Sequence, residues 1–230
     1  MRYFGELTPG LKVSEGRWKV ELKCYGNNCY YTRSDEEGVK AERILGPFSR
    51  PLLRPTIYGG ELAYYLYIHF RRPITLISYS SLNFMIGIPI DVEVVMEAQD
   101  EYGRTRSYLI DIIELGDVYY ALYGKPERGV LCRYHKAKLG TWNWIKEAQF
   151  RIQIVNQTDK TITMNRLVFP TLLPDVYYKP SSHRVWVSPI IALIEGNTAL
   201  IQKSDEKPPQ GFVKNPQTGK LQKWTMIFGL

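Results

Sequence analysis

Long apolar runs, helical periodicity, histidine and cysteine are what this 230-residue sequence has least of. No segment approaches the ~20 consecutive apolar residues that a membrane-spanning helix needs, so no transmembrane segment is expected. Behind Arg2, the opening MRYFGELTPG lacks the apolar stretch of ~7–15 residues that marks a secretory signal. Three cysteines are too few, and odd in number, for a disulfide framework. Cys24 and Cys29 flank Tyr25-Gly26-Asn27-Asn28, a turn sequence that would set them facing each other across a hairpin. Reduced thiols are the expected state in an intracellular protein. A cross-strand disulfide would need an oxidising compartment or the cytosol of a hyperthermophile. As a lone C-x4-C with no second ligand pair, the two do not read as a metal site.

The histidines, His69, His135 and His183, number only three, and none stands in H-x-H or H-E-x-x-H. No G-x-S-x-G elbow surrounds a serine, and no phosphate-binding glycine loop is present. Cys132 alternates with Val130 and Tyr134 and reads as a small buried hydrophobe. The sequence therefore calls for no metal, no cofactor and no catalytic residue. The weakest exclusion is the acidic row Asp91, Glu93, Glu97. Its i to i+2 spacing of about 7 Å on one strand face falls within the range used by glycoside hydrolases, but any solvated acidic strand face looks the same.

What is present is ordinary globular material: 44% hydrophobic and 23% charged residues, which argues against disorder. The net charge of +7 is uneven. Residues 1–60 hold 10 bases and 7 acids, residues 61–120 hold 4 and 9, and residues 121–230 hold 16 and 7. An excess of +9 on the C-terminal half suits an acidic partner, nucleic acid or an anionic surface, although no basic run is dense enough to form a patch in sequence.

The apolar period is two almost throughout. Trp18, Val20, Leu22 and Cys24 alternate with polar residues, as do Ala148, Phe150, Ile152 and Ile154. The series Leu62 to Phe70 and Ile88 to Ala98 read the same way, the latter broken at Pro89 and Val95. Strands with one face to the core have this pattern. Turn sequences such as Asp100-Glu101-Tyr102-Gly103, Gly124 to Gly129 and Glu195-Gly196-Asn197 separate the runs. The expected fold is all-β, an antiparallel β-sandwich (jelly-roll-like or two packed sheets) with little or no helix. Residues 1–202 would form one sandwich domain, with a subdivision near 124–141 as the alternative. Residues 203–230 would be an exposed loop rich in Pro, Gly and Lys. Its apolar end, Trp224 to Leu230, would return as a last strand. Pro47 to Pro55 reads as a poorly paired connector.

Chemistry-bearing groups concentrate in Tyr119 to Tyr134, YYALYGKPERGVLCRY, and the strand before it. Tyr108 to Ile113 is apolar on both sides apart from Asp111, which suggests a central strand carrying a buried carboxylate in need of a partner. Arg133 or His135 is the expected partner. The candidate polar cluster is Asp111, Tyr120, Tyr123, Arg128, Arg133, Tyr134 and His135. It is either a functional pocket or a buried architectural network. A second feature is Trp142-x-Trp144. If that segment is extended, it sets two indoles on one face as a platform for sugar rings or bases; the alternative is a capped core end.

Tyr120-Ala121-Leu122-Tyr123-Gly124 followed by Gly129-Val130-Leu131-Cys132-Arg133-Tyr134 resembles an archaeal family known only as a domain of unknown function, family 432. Tyr31-x-Arg33, Pro89-Ile90-Asp91-Val92 and Ile110-Asp111 fit it as well. The resemblance implies an archaeal, cytoplasmic protein with no assigned activity. A content rich in Tyr, Arg, Lys and Glu suits a thermophile. The functional expectation is a non-catalytic binding or assembly module, with homo-oligomerisation open. The alternatives are a carbohydrate-binding or carbohydrate-processing domain and a nucleic-acid binder using the basic C-terminal half.

Overall fold

The computed structural model describes residues 4–15, 17–46, 50–58 and 62–227. Pro47 to Ser49 of the expected connector, and the terminal Phe228 and Leu230, lie outside these. In chain order the strands are β1 (Gly5–Glu6), β2 (Lys12–Glu15), β3 (Trp18–Tyr25), β4 (Asn28–Asp35) and β5 (Gly38–Leu45). Next come β6 (Leu52–Thr56), β7 (Tyr65–Leu76), β8 (Ser81–Pro89), β9 (Asp91–Gln99) and β10 (Thr105–Ile113). They are followed by β11 (Tyr119–Tyr123), β12 (Val130–Ala137), β13 (Glu147–Asn156), β14 (Ile162–Pro170) and β15 (Val176–Tyr178). The last are β16 (Val185–Val187), β17 (Ile190–Glu195), β18 (Thr198–Lys203), β19 (Val213–Lys214) and β20 (Lys223–Ile227). No described residue is helical, as the period-two patterning requires.

Two sheets make the centre. The order β11-β12-β7-β14 faces β20-β18-β17-β13-β8, and ring pairs Phe70–Phe84 and Phe150–Phe169 join them across the core. Pairing is antiparallel except β12 with β7 and β13 with β17. β13 shows the patterning most cleanly: Ala148, Phe150, Ile152 and Ile154 are buried while the residues between them are half-exposed. Asn156 continues that inward row, where its amide nitrogen donates to the carbonyls of Ile77 and Lys160 and its carbonyl oxygen accepts from the Thr158 amide. An inward polar residue is tolerated there because the turn at 157–160 satisfies it. β20 pairs with β18, and Met226 is fully buried. Residues 203–222 are not wholly exposed, since Asn215 and Thr218 are buried.

Pro89 turns the chain from one sheet to another. It closes β8, the Ile90 amide donates to the Lys146 carbonyl, and β9 begins at Asp91 in a further sheet, β1-β6-β9-β10. A residue without an N–H suits such a corner. Two expectations fail in this sheet. The Pro-rich connector is not loosely paired, because β6 runs between β1 and β9. Pro55 fits because β1 pairs only with Leu52 and Leu53, so no ladder bond on that side needs its missing donor. β10 is not central either. It is the sheet edge, with Tyr108 and Leu109 more than half exposed and a bulge between Leu109 and Asp111. Apolar residues on both faces marked an edge open to solvent rather than a covered strand.

The remaining sheets are β2-β3-β4-β5 and the small β16-β15-β19. In the former, Gly26 holds φ 56° in the tight turn between β3 and β4, a conformation glycine adopts without strain. Cys24 lies directly opposite Cys29, and the two are bonded as a disulfide, against the expectation of free thiols. Cross-strand apposition put the sulfurs together, and sequence spacing alone could not say whether they had been oxidised. Cys132 is buried, and loss of solvation pushes its thiol up to about 11. Native protein at pH 8 should therefore give no fast-reacting thiol, denatured protein one per chain, and denatured and reduced protein three. Counting alkylated cysteines by mass spectrometry checks this, and a fast-reacting native thiol would contradict it.

Candidate functional site

The tyrosine-rich segment folds as the hairpin β11–β12, with Tyr119 opposite Tyr134 and Tyr120 opposite Arg133. On its other side β12 runs parallel to β7. Successive residues of β12 point to opposite faces. Arg133, His135 and Ala137 lie on one side, and Cys132, Tyr134 and Lys136 on the other.

Arg133 is buried, and its partner is Asp91 of β9 rather than Asp111. The contact is a two-bond fork: Nη1 donates to Oδ2 at 2.5 Å and Nη2 to Oδ1 at 3.0 Å. The Leu115 amide donates to Asp91 Oδ1 at 3.3 Å. Burial raises the Asp91 carboxyl above its ordinary range, and Arg133 pulls the opposite way. Asp111 is held from another sheet. Arg33 Nε donates to its Oδ2 at 2.7 Å, Arg33 Nη2 to Oδ1 at 3.1 Å and the Tyr31 hydroxyl to Oδ2 at 2.7 Å. The acidic strand face is correspondingly not a solvated row. Asp91 and Glu93 are buried, Glu93 bonds Arg54 Nε at 3.0 Å and Glu97 bonds Arg54 Nη1 at 2.8 Å. Both expected features, the Asp111–Arg133 pair and the open acid row, are thus corrected. Each carboxylate met a guanidinium far away in sequence, which adjacency does not reveal.

The other predicted residues divide. Tyr120, Arg133, Tyr134 and His135 line one cavity of about 540 Å³ together with Tyr119, Asp117 and Lys136. Tyr123 does not: its buried hydroxyl accepts from the Ile227 amide at 2.8 Å and donates to the Ile227 carbonyl at 3.0 Å, tying β11 to β20. Arg128 sits on the turn at 124–129, away from that lining, where its amide donates to the Lys125 carbonyl. Tyr134 receives support from β7, its hydroxyl 2.8 Å from His69 Nδ1, so His69 is not a simple surface residue.

The cavity continues past His135 and Lys136 into a second space of about 460 Å³ lined by Arg71, Lys138, Trp142 and Glu147. Arg71 and Lys138 then lead into a third, of about 430 Å³, with Arg72. Shared walls make the three one groove. Arg71, Arg72, Lys136 and Lys138 are exposed along it, and none pairs with a carboxylate among the described residues. Sequence reasoning missed these four, although Arg71-Arg72 and Lys136-x-Lys138 were the available signal.

Trp142 and Trp144 do not form a flat platform. Their segment is a loop, and the rings meet edge-to-face at 74° with centroids 5.1 Å apart. Trp142 is half-buried and lines the groove. Its loop is fixed from several directions: the Asn143 amide donates to Glu147 Oε2 at 2.6 Å and the Gly140 amide to the Met85 carbonyl at 2.8 Å. Gly87 is essential to this packing, because a Cβ there would lie 2.2 Å from Glu147 Oε2 and 2.5 Å from Trp142 Cβ. Glu147 Oε1 is 3.6 Å from His135 Nε2.

A family model covers residues 3–228 of this chain. The chain belongs to the family described as a protein of unknown function, DUF432. Comparison with curated proteins and with solved structures gave no match. The DUF432 assignment brings no reaction, so the chemistry rests on the groove. Among the described residues no group of three or more His, Cys, Asp or Glu is placed to hold a metal ion.

Two outcomes follow from this geometry. Arg133→Met should cost ~3–5 kcal/mol by leaving Asp91 buried and unpaired, and adding Asp91→Leu should recover most of the loss. Denaturant unfolding of both variants checks it; a loss under ~1 kcal/mol would contradict the pairing. His135 is held below its ordinary value by burial, with Glu147 and the Gly87 backbone opposing. An unfolded His135 binds a proton near pH ~6.5 where the folded one does not, so stability should fall as pH drops below ~6.5. In His135→Gln that part of the pH dependence should vanish from the unfolding midpoints.

Proposed function

We propose that this protein is a non-catalytic binding module that holds an extended acidic chain, single-stranded nucleic acid being the best fit, in the groove along β11, β12 and the end of β7. The observation that carries this reading is the line of four unpaired cations, Arg71, Arg72, Lys136 and Lys138, running beside Tyr119, Tyr120, Tyr134 and Trp142. Cations spaced along a groove meet backbone phosphates, and aromatic faces accept bases of any sequence by stacking. Arg133 contributes shape rather than free charge, since Asp91 neutralises it.

Grooves of this kind favour a polymer over a small anion, because no single point gathers all four charges. The edge-to-face indoles argue against stacking two sugar rings side by side on Trp142 and Trp144. The disulfide suits either an oxidising compartment or a hyperthermophile cytosol, and the latter keeps the archaeal, cytoplasmic setting.

Fluorescence anisotropy with a labelled single-stranded oligonucleotide tests the proposal. Binding should weaken steeply with salt. Lys136→Gln/Lys138→Gln should lower the log–log salt slope by ~1.4, at ~0.7 for each lost phosphate contact. Both lysines are exposed, so the fold should be unaffected. Failure to bind at ~50 mM salt, or an unchanged slope in the double variant, would refute it.

A further inference from the structure

A separate cleft of about 300 Å³ opens between the β6–β9–β10 sheet, the turn at 171–172 and residues 217–220. It shares no lining residue with the groove. The segment 215–220 is fastened in place before any ligand arrives. Asn215 Nδ2 donates to the Pro55 carbonyl and to Glu93 Oε1, both at 3.0 Å, and the Thr218 hydroxyl accepts from the Val176 amide at 2.9 Å and donates to the Asn215 carbonyl at 2.8 Å. Such anchoring makes the cleft a preformed site rather than a gap under a loose loop.

Among the described residues Glu93 is the one carboxylate in the wall, and it is buried. Its Oε1 already accepts from Arg54 Nε and Asn215 Nδ2, while Oε2 accepts no hydrogen bond among the described residues. Behind it Arg54 Nη2 is buried without a partner. A carboxylate left with open lone pairs at a cavity wall calls for donors from a ligand. The ligand should carry no net charge. Arg54 bonds both Glu93 and Glu97, and burial raises the Glu93 carboxyl above its ordinary range against the pull of Arg54, so a further charge brought to this wall would be uncompensated. Val95, Leu109 and Leu172 supply an apolar surface on the same cavity.

We propose that this cleft binds one neutral polyhydroxylated ring, a monosaccharide or the ribose of a nucleoside, with ring hydroxyls donating to Glu93 and an apolar ring face against Val95, Leu109 and Leu172. Its volume lies at the small end of ligand pockets, which run ~300–1,000 Å³, and so admits one ring rather than an oligosaccharide. The site revises the expected carbohydrate reading. The acidic strand takes part through Glu93 alone, and Trp142 and Trp144 do not belong to this cleft.

Saturation-transfer NMR on the full chain provides the test, with a panel of neutral monosaccharides and nucleosides and a counter-panel of choline, acetate and inorganic phosphate. At least one neutral compound should bind with a Kd below ~1 mM, unchanged by added salt. Signals from monosaccharides alone assign the ring to a free sugar, signals from nucleosides alone to a nucleoside's ribose, and signals from both support the shared ring chemistry. Leu109→Trp places an indole in the cleft from an exposed position and should weaken binding at least ~tenfold. Gln217→Trp repeats the block from the 217–220 segment, should either variant fold poorly. Silence of every neutral compound to ~10 mM, binding by the ions alone, or full binding by both blocked variants would overturn the proposal. None of these results bears on the groove, which the oligonucleotide test addresses through other residues.

Discussion

The bidentate contact between Asp91 and Arg133 is the constraint on which the rest of the molecule depends. It joins the first residue of β9 to the middle of β12, and so couples the β1-β6-β9-β10 sheet to the β11-β12-β7-β14 sheet. Of two other guanidinium–carboxylate contacts, one also joins two sheets and one locks neighbouring strands of a single sheet. Arg33–Asp111 fastens the β2–β5 sheet to the β10 edge, and Arg54–Glu93 binds β6 to β9 beneath the 215–220 segment. Buried ion pairs contribute little net stability over a well-packed apolar alternative, but they strongly penalise any arrangement that separates the partners. Several sheets with repetitive period-two patterning need such a device, since apolar alternation alone does not say which sheet packs on which.

This also gives physical content to the family resemblance. Its scattered fragments are the two halves of these contacts. Tyr31-x-Arg33 meets Ile110-Asp111, and Pro89-Ile90-Asp91 meets Gly129-Val130-Leu131-Cys132-Arg133. The motif segment that first draws the eye is therefore architectural on its Arg133 side. On the other side Tyr119 and Lys136 reach solvent, and this is the face given the proposed binding surface. One hairpin serves both purposes because a strand shows alternate residues to opposite faces.

Fold class was legible from the sequence because patterning of the kind seen in β13 follows directly from burial on one face. The corrections share one cause. The partner of Asp111, the place of β10 and the pairing of the Pro47–Pro55 segment, read as a poorly paired connector, all follow from strand order, which depends on contacts between residues distant in the chain. The site was legible in part: Tyr120, Arg133, Tyr134 and His135 do meet at one cavity. Arg71 and Arg72 come from β7, sixty residues upstream of β12 by the numbering, and only the parallel pairing of those strands brings them alongside. Glu93 was read as part of an exposed row because its partner, Arg54, lies on a strand the prolines had disguised.

The central claim is that the outer face of the β11–β12 hairpin, continued by β7 and the 138–143 loop, is a binding surface laid over a rigid buried pair. Backbone amide NMR during titration with a single-stranded oligonucleotide tests it most directly. The account predicts shifts concentrated at residues 71–72, 119–121 and 134–143, with the amides of Asp91 and its β9 neighbours nearly still. Shifts centred instead on the 215–220 segment, or spread over β9 and its neighbours, would contradict it.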